Sequence, residues 1–63
     1  MEEAVKYLEE ALNYLDKLES IVSRLKPGDV ISAGLVYQLY ELLMLTREKL
    51  VEARFKVVKE HSR

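Results

Sequence analysis

At 63 residues the chain has room for one domain. A domain so small buries only about 60% of its unfolded surface and needs a staple or a partner. With no Cys and a single His, disulfides, thiolate metal sites and His-rich metal sites are excluded, which leaves association with another chain. A net charge of −1 excludes a strongly polyanion-seeking protein, and 49% apolar against 33% charged residues excludes a disordered one.

The first predicted element is a helix over about residues 2–26. Apolar residues recur at alternating spacings of three and four: Met1, Ala4, Leu8, Ala11, Leu15, Leu18, Val22, Leu25. That is the a/d stripe of a heptad pattern. Val5, Tyr7, Leu12, Tyr14 and Ile21 flank it, and Glu2, Glu3, Glu9, Glu10, Asn13, Asp16, Lys17, Ser20 and Arg24 hold the opposite face. The result is an amphipathic helix with a broad buried side. The opening Met1-Glu2-Glu3 is the opposite of a basic signal-peptide start.

Turn chemistry is concentrated at Lys26-Pro27-Gly28-Asp29, within a predicted turn over 27–32. Pro cannot continue a helix, and Gly tolerates the left-handed backbone that ends one. Asp29 or Ser32 can cap the next helix, and Gly34 can loosen its first turn.

The second helix is predicted over about 33–60. One three–four series runs Val36, Leu39, Leu43, Thr46, Leu50, Ala53, Val57. A second runs beside it: Tyr37, Tyr40, Met44, Val51, Phe55, Val58. Gln38 and Glu41 interrupt the run from Leu35 to Leu45, which is too short and too polar to span a membrane. The two helices would be roughly 35 and 42 Å long. A short loop between elements of similar length makes them antiparallel neighbours. The acidic start of helix 1 then lies beside Lys56, Lys59 and Arg63, and each set complements its helix dipole.

The expected fold is therefore all-α: an antiparallel helical hairpin that dimerises into a four-helix bundle. Two paired helices hide one seam each. The second seam of helix 2 would leave Tyr37, Tyr40, Met44, Val51 and Phe55 in water, a patch of the kind that marks an interaction site. Those five residues are the expected interface, or its border. Leu15, Leu18, Val36, Leu39, Leu43 and Leu50 are the expected bundle core.

Residues with chemistry are few. Arg47, Lys49, Arg54, Lys56, Lys59 and Arg63 make the last third basic, and a basic helix face can neutralise phosphates. Against it, the same charges serve the dipole and the acidic neighbours. Arg54 and His61, two turns apart, resemble the Arg…His pattern of HEPN-type helical ribonucleases. That resemblance covers eight residues, and it would imply RNA cleavage at a dimer interface. The hairpin architecture is also similar to that of plasmid copy-number regulators, which dimerise and bind RNA. Here, however, Glu2, Glu3, Glu9, Glu10 and Asp16 would repel phosphates. Glu9 with Glu10 and Glu48 with Glu52 could suggest carboxylate metal sites, but no Glu-x-x-His accompanies them.

The sequence thus reads as a small, cytoplasmic, non-enzymatic, self-associating helical module without a cofactor. One Asn and one Gln against abundant Lys and Glu lean toward a thermophilic source. The partner is expected to be a second copy, with a hetero-partner as the alternative. Two rival functions are a nucleic-acid-binding regulator acting through Arg47, Arg54, Lys56, Lys59 and Arg63, and an accessory subunit of a larger complex.

Overall fold

The computed structural model describes residues 2–61, with side chains through residue 60. Met1 and Arg63, and the side chain of His61, therefore lie outside the described residues. Within them the chain is all-helical: α1 spans Glu2–Ser23 and α2 spans Ala33–His61. Glu2 and Glu3 stand in the first turn of α1, where a negative charge meets the positive end of the dipole.

α1 ends by tightening. The N–H groups of Arg24 and Leu25 donate to the carbonyls of Ile21 and Val22, at 3.2 and 3.1 Å. These three-residue bonds are the usual fate of orphan carbonyls at a helix end. The Ser23 hydroxyl adds a 2.9 Å bond to the Ser20 carbonyl. The turn then closes on itself. The Asp29 N–H donates to the Lys26 carbonyl at 3.0 Å, and the Asp29 carboxylate accepts from the Lys26 N–H at 2.7 Å. Gly28 has φ +90°, behind a Pro whose φ is preset, as a type II turn requires.

Of the two cap candidates, the structure uses Ser32. Its hydroxyl oxygen accepts from the Leu35 N–H at 3.1 Å, and its carbonyl accepts the first helical bond from Val36. Asp29 is committed to the turn instead. Gly34 does not break the helix, which runs on without interruption.

The helices run antiparallel, and two ion pairs give the register. Lys56 Nζ lies 2.9 Å from Glu3 Oε2, and Lys49 Nζ lies 3.8 Å from Glu10 Oε1. Two turns forward along α1 match two turns back along α2. On that register Ala4 and Ala11 come level with Ala53 and Thr46, four small residues that are all buried. Thr46 can be there because its hydroxyl donates to the Leu42 carbonyl one turn back, at 2.8 Å.

The seam of α2 is turned by one residue from the expected one. Leu39, Thr46, Ala53 and Val57 do face inward, but Leu35, Leu42 and Lys49 join them. Val36, Leu43 and Leu50, expected in the core, are exposed on the hairpin, as is Leu15. On α1 the contact side is Ala4, Tyr7, Ala11, Tyr14, Leu18 and Ile21, with Leu25 following just beyond the helix, so the tyrosines belong to the seam rather than beside it.

The molecule is a rod, 53 × 17 × 13 Å, with a radius of gyration of 15.1 Å. A compact domain of this length would have about 11 Å.

Candidate functional site

Because the seam is built from small residues, the two broad faces of the hairpin can be compared directly. They are unlike. One is closed by side chains that cross from helix to helix. Tyr7 and Tyr14 are half-buried there, and the Lys49 ammonium sits 5.5 Å from the centre of the Tyr7 ring. The same ammonium faces Glu10 Oε1, an atom shielded from solvent without a hydrogen bond. The Glu3–Lys56 pair closes the end of this face. Hydrogen bonding to Lys56 and its charge hold the Glu3 carboxyl below its ordinary pKa. The same contacts raise Lys56. Lys17 stacks over Tyr14 at 5.7 Å, within α1.

The other broad face is open and apolar. Leu8, Leu12 and Leu15 of α1 and Leu50 of α2 share a shallow depression of about 230 Å³ floored by Ala11 and Thr46. Helical spacing adds Val22 to the α1 row, with the exposed Glu19 as its one charged member, and Val36 and Leu43 to the α2 row. All of these leucines and valines are exposed. No polar side chain bridges the two helices across this face among the contacts of the described residues.

The residues expected at an interface sit further round α2, on its outer face. Tyr37 is 78% exposed and Phe55 65%, and Tyr40 and Met44 are also exposed. Val51 is half-buried. Met44 and Val51 help line an open groove of about 670 Å³ with Tyr7, Arg47, Glu48, Lys49 and Glu52. The groove is wide, and among the described residues no ion pair joins two of its lining side chains.

The basic set is divided. Lys56 spends its charge on Glu3 across the hairpin, and Glu52, one turn away on its own helix, acts on it only at a distance. Arg47 and Arg54 are exposed, as is Lys59; helical spacing places both arginines beside Leu43 and Leu50 on α2, and Arg47 also borders the open groove. Arg63 falls outside the described residues. Arg54 is placed, but the His61 side chain that would complete the ribonuclease-like pair is not described. Among the described residues no three His, Cys, Asp or Glu side chains gather to hold a metal ion. No described helix is long and apolar enough to cross a membrane.

Periodicity did not announce Lys49, Glu10 or Leu42 as seam residues. The signal that could have found them is the heptad of small residues Ala53–Thr46 opposite Ala4–Ala11, which fixes the facing columns.

The fold thus defines a two-helix hairpin with one sealed and one open face. Comparison with protein-family models, curated proteins and solved structures finds no match.

Proposed function

We propose that this chain is a non-enzymatic self-associating module, whose working form is a homodimeric four-helix bundle. One observation carries the reading: the hairpin has almost no core of its own. Among the described residues the buried ones are Ala4, Ala11, Leu42, Ala53 and Thr46, and only one of these brings a large apolar side chain. Burying a leucine contributes about 1.5–3 kcal/mol. The other seam residues, such as Leu18, Ile21, Leu35 and Leu39, are only half-buried, so much of the apolar area available to offset the ordering cost, about 1–2 kcal/mol per residue, is left in water.

The surface area supports the same reading. The hairpin exposes 5431 Å², where a compact monomer of its mass, 7.4 kDa, would expose about 4,200 Å². The excess of about 1,200 Å² exceeds the roughly 800 Å² that each partner buries in an ordinary stable interface. Covering the open leucine face would return the chain to the surface expected of a folded protein.

Light scattering on purified protein at micromolar concentration tests this. A mass of twice the chain or a higher multiple is expected. A mass of one chain at all accessible concentrations removes the proposal.

A further inference from the structure

The leucine face and the charges along its two edges say how a second copy would dock. This inference rests on the self-association proposed above and adds its geometry. The edges have opposite signs. Beyond Leu12 and Val5, the outer edge of α1 carries Glu2, Glu9 and Asp16, each seven residues from the next. Beyond Leu43 and Leu50, the edge of α2 carries Arg54, Arg47 and Tyr40, again seven apart. All six are exposed, and no ion pair within the described residues joins any of these charges to another group of the hairpin.

Two hairpins can bring their leucine faces together about a twofold axis in two ways. An axis across the helices stacks α1 on α1 and α2 on α2. Acid then meets acid and arginine meets arginine. An axis along the helices stacks α1 on the partner's α2, running antiparallel. Acid then meets arginine on both sides. Like charges set directly opposite are penalised, so edge charges choose between arrangements even where they add little affinity.

The register makes the second arrangement specific. An axis along the helices preserves height, and Glu3–Lys56 and Glu10–Lys49 define the heights. Glu9 then comes beside the partner's Arg47, and Glu2 beside the partner's Arg54. Asp16 comes level with the partner's Tyr40, within reach of its hydroxyl. The apolar excess fits as well. Val5 and Leu12, which widen the apolar arc of α1, come beside the partner's Val51 and Met44.

We infer that the open leucine face is the homodimer interface, with the twofold axis along the bundle and the Glu2–Glu9–Asp16 edge seated against the partner's Arg54–Arg47–Tyr40 edge. Neighbouring helices are antiparallel about either axis, so the edge charges and not the helix dipoles make the choice. The outer faces bearing Tyr37 and Phe55 stay on the outside.

Charge reversal tests it without touching the apolar surface. Dimer dissociation constants would be measured by sedimentation for the wild type, Glu9→Arg, Arg47→Glu and the two reversals combined in one chain. Each single reversal is expected to weaken the dimer by roughly three- to tenfold, and the combination to restore most of it. With the axis across the helices, each single reversal would instead relieve repulsion and tighten the dimer, which overturns the inference. A dimer indifferent to all three variants but split by Phe55→Glu overturns it too, because the joint would then lie on the outer face of α2. In both cases self-association itself would stand. A wild-type chain that stays monomeric would remove the self-association proposal and this geometry together.

Discussion

Truncating Leu43 separates a lone hairpin from an assembled one by magnitude. In the hairpin Leu43 is 53% exposed, so about half of its side chain is already in water. Full burial of a leucine contributes about 1.5–3 kcal/mol. On the isolated hairpin Leu43→Ala should therefore cost about 1 kcal/mol, less a few tenths regained from the better helix propensity of Ala. Within a bundle the same leucine is enclosed on all sides. Truncation there also leaves a cavity, and Leu→Ala in a closed core costs about 2–5 kcal/mol. Both copies are affected in a dimer, so the loss doubles per assembly. The assay is urea unfolding followed by far-ultraviolet circular dichroism at two protein concentrations a hundredfold apart. The expected outcome is a loss of about 2–5 kcal/mol per chain, with a midpoint that rises with concentration for wild type and variant alike. A loss near 1 kcal/mol with a concentration-independent midpoint would leave Leu43 on the surface of a lone hairpin and remove the enclosed core.

Three further expectations concern the hairpin's own joints. Ala11 is 3% exposed and level with Thr46, so Ala11→Leu should force the helices apart and cost about 1–3 kcal/mol in thermal or urea unfolding. An unchanged stability would mean the helices are not held close at this layer. Ser32→Ala removes the oxygen that accepts the Leu35 N–H and should cost about 1 kcal/mol, with the loss of amide protection confined to the first turn of α2. Protection unchanged there would reassign the cap. The Glu3 carboxyl is held below its ordinary pKa of 4.5 by Lys56. Its contribution to stability is thus present above that value and lost as pH falls through the lower, folded one. Glu3→Gln should flatten the acid limb of the stability curve in that window. Lys56 is raised above its ordinary 10.5, so its contribution holds below that value and fades only as pH climbs through the raised one. An acid limb identical in wild type and Glu3→Gln would contradict the ion pair.

Much of the fold was legible because the punctuation is local. Pro27 and Gly28 can stand together in a turn but not in a helix, and Ser32 sits at the right offset to cap α2. The facing side of α1 was legible in outline, since polar residues fill its opposite side without a break. α2 resisted for a physical reason. Leu42, Leu43, Met44 and Leu45 are consecutive, and consecutive residues of a helix point in nearly all directions, so a count of apolar positions cannot say which one faces the neighbour. Lys49 and Lys56 mislead in the other direction. A count treats them as polar, yet their long stems run along the seam and carry the charge to Glu10 and Glu3. Surplus apolar area was legible, but not how the two helices share it between their faces. Only the level of Ala4 and Ala11 against Ala53 and Thr46 shows that Leu8, Leu12 and Leu50 share one open face, while Tyr37 and Phe55 look elsewhere.

If the hairpin cannot enclose a core alone, folding and association are a single event. The decisive measurement is helix content by circular dichroism, followed together with mass from high micromolar to nanomolar concentration. Helicity and mass should fall together, along one dissociation curve. A chain that remains fully helical at a mass of 7.4 kDa through the whole dilution series would show that the hairpin stands without a partner.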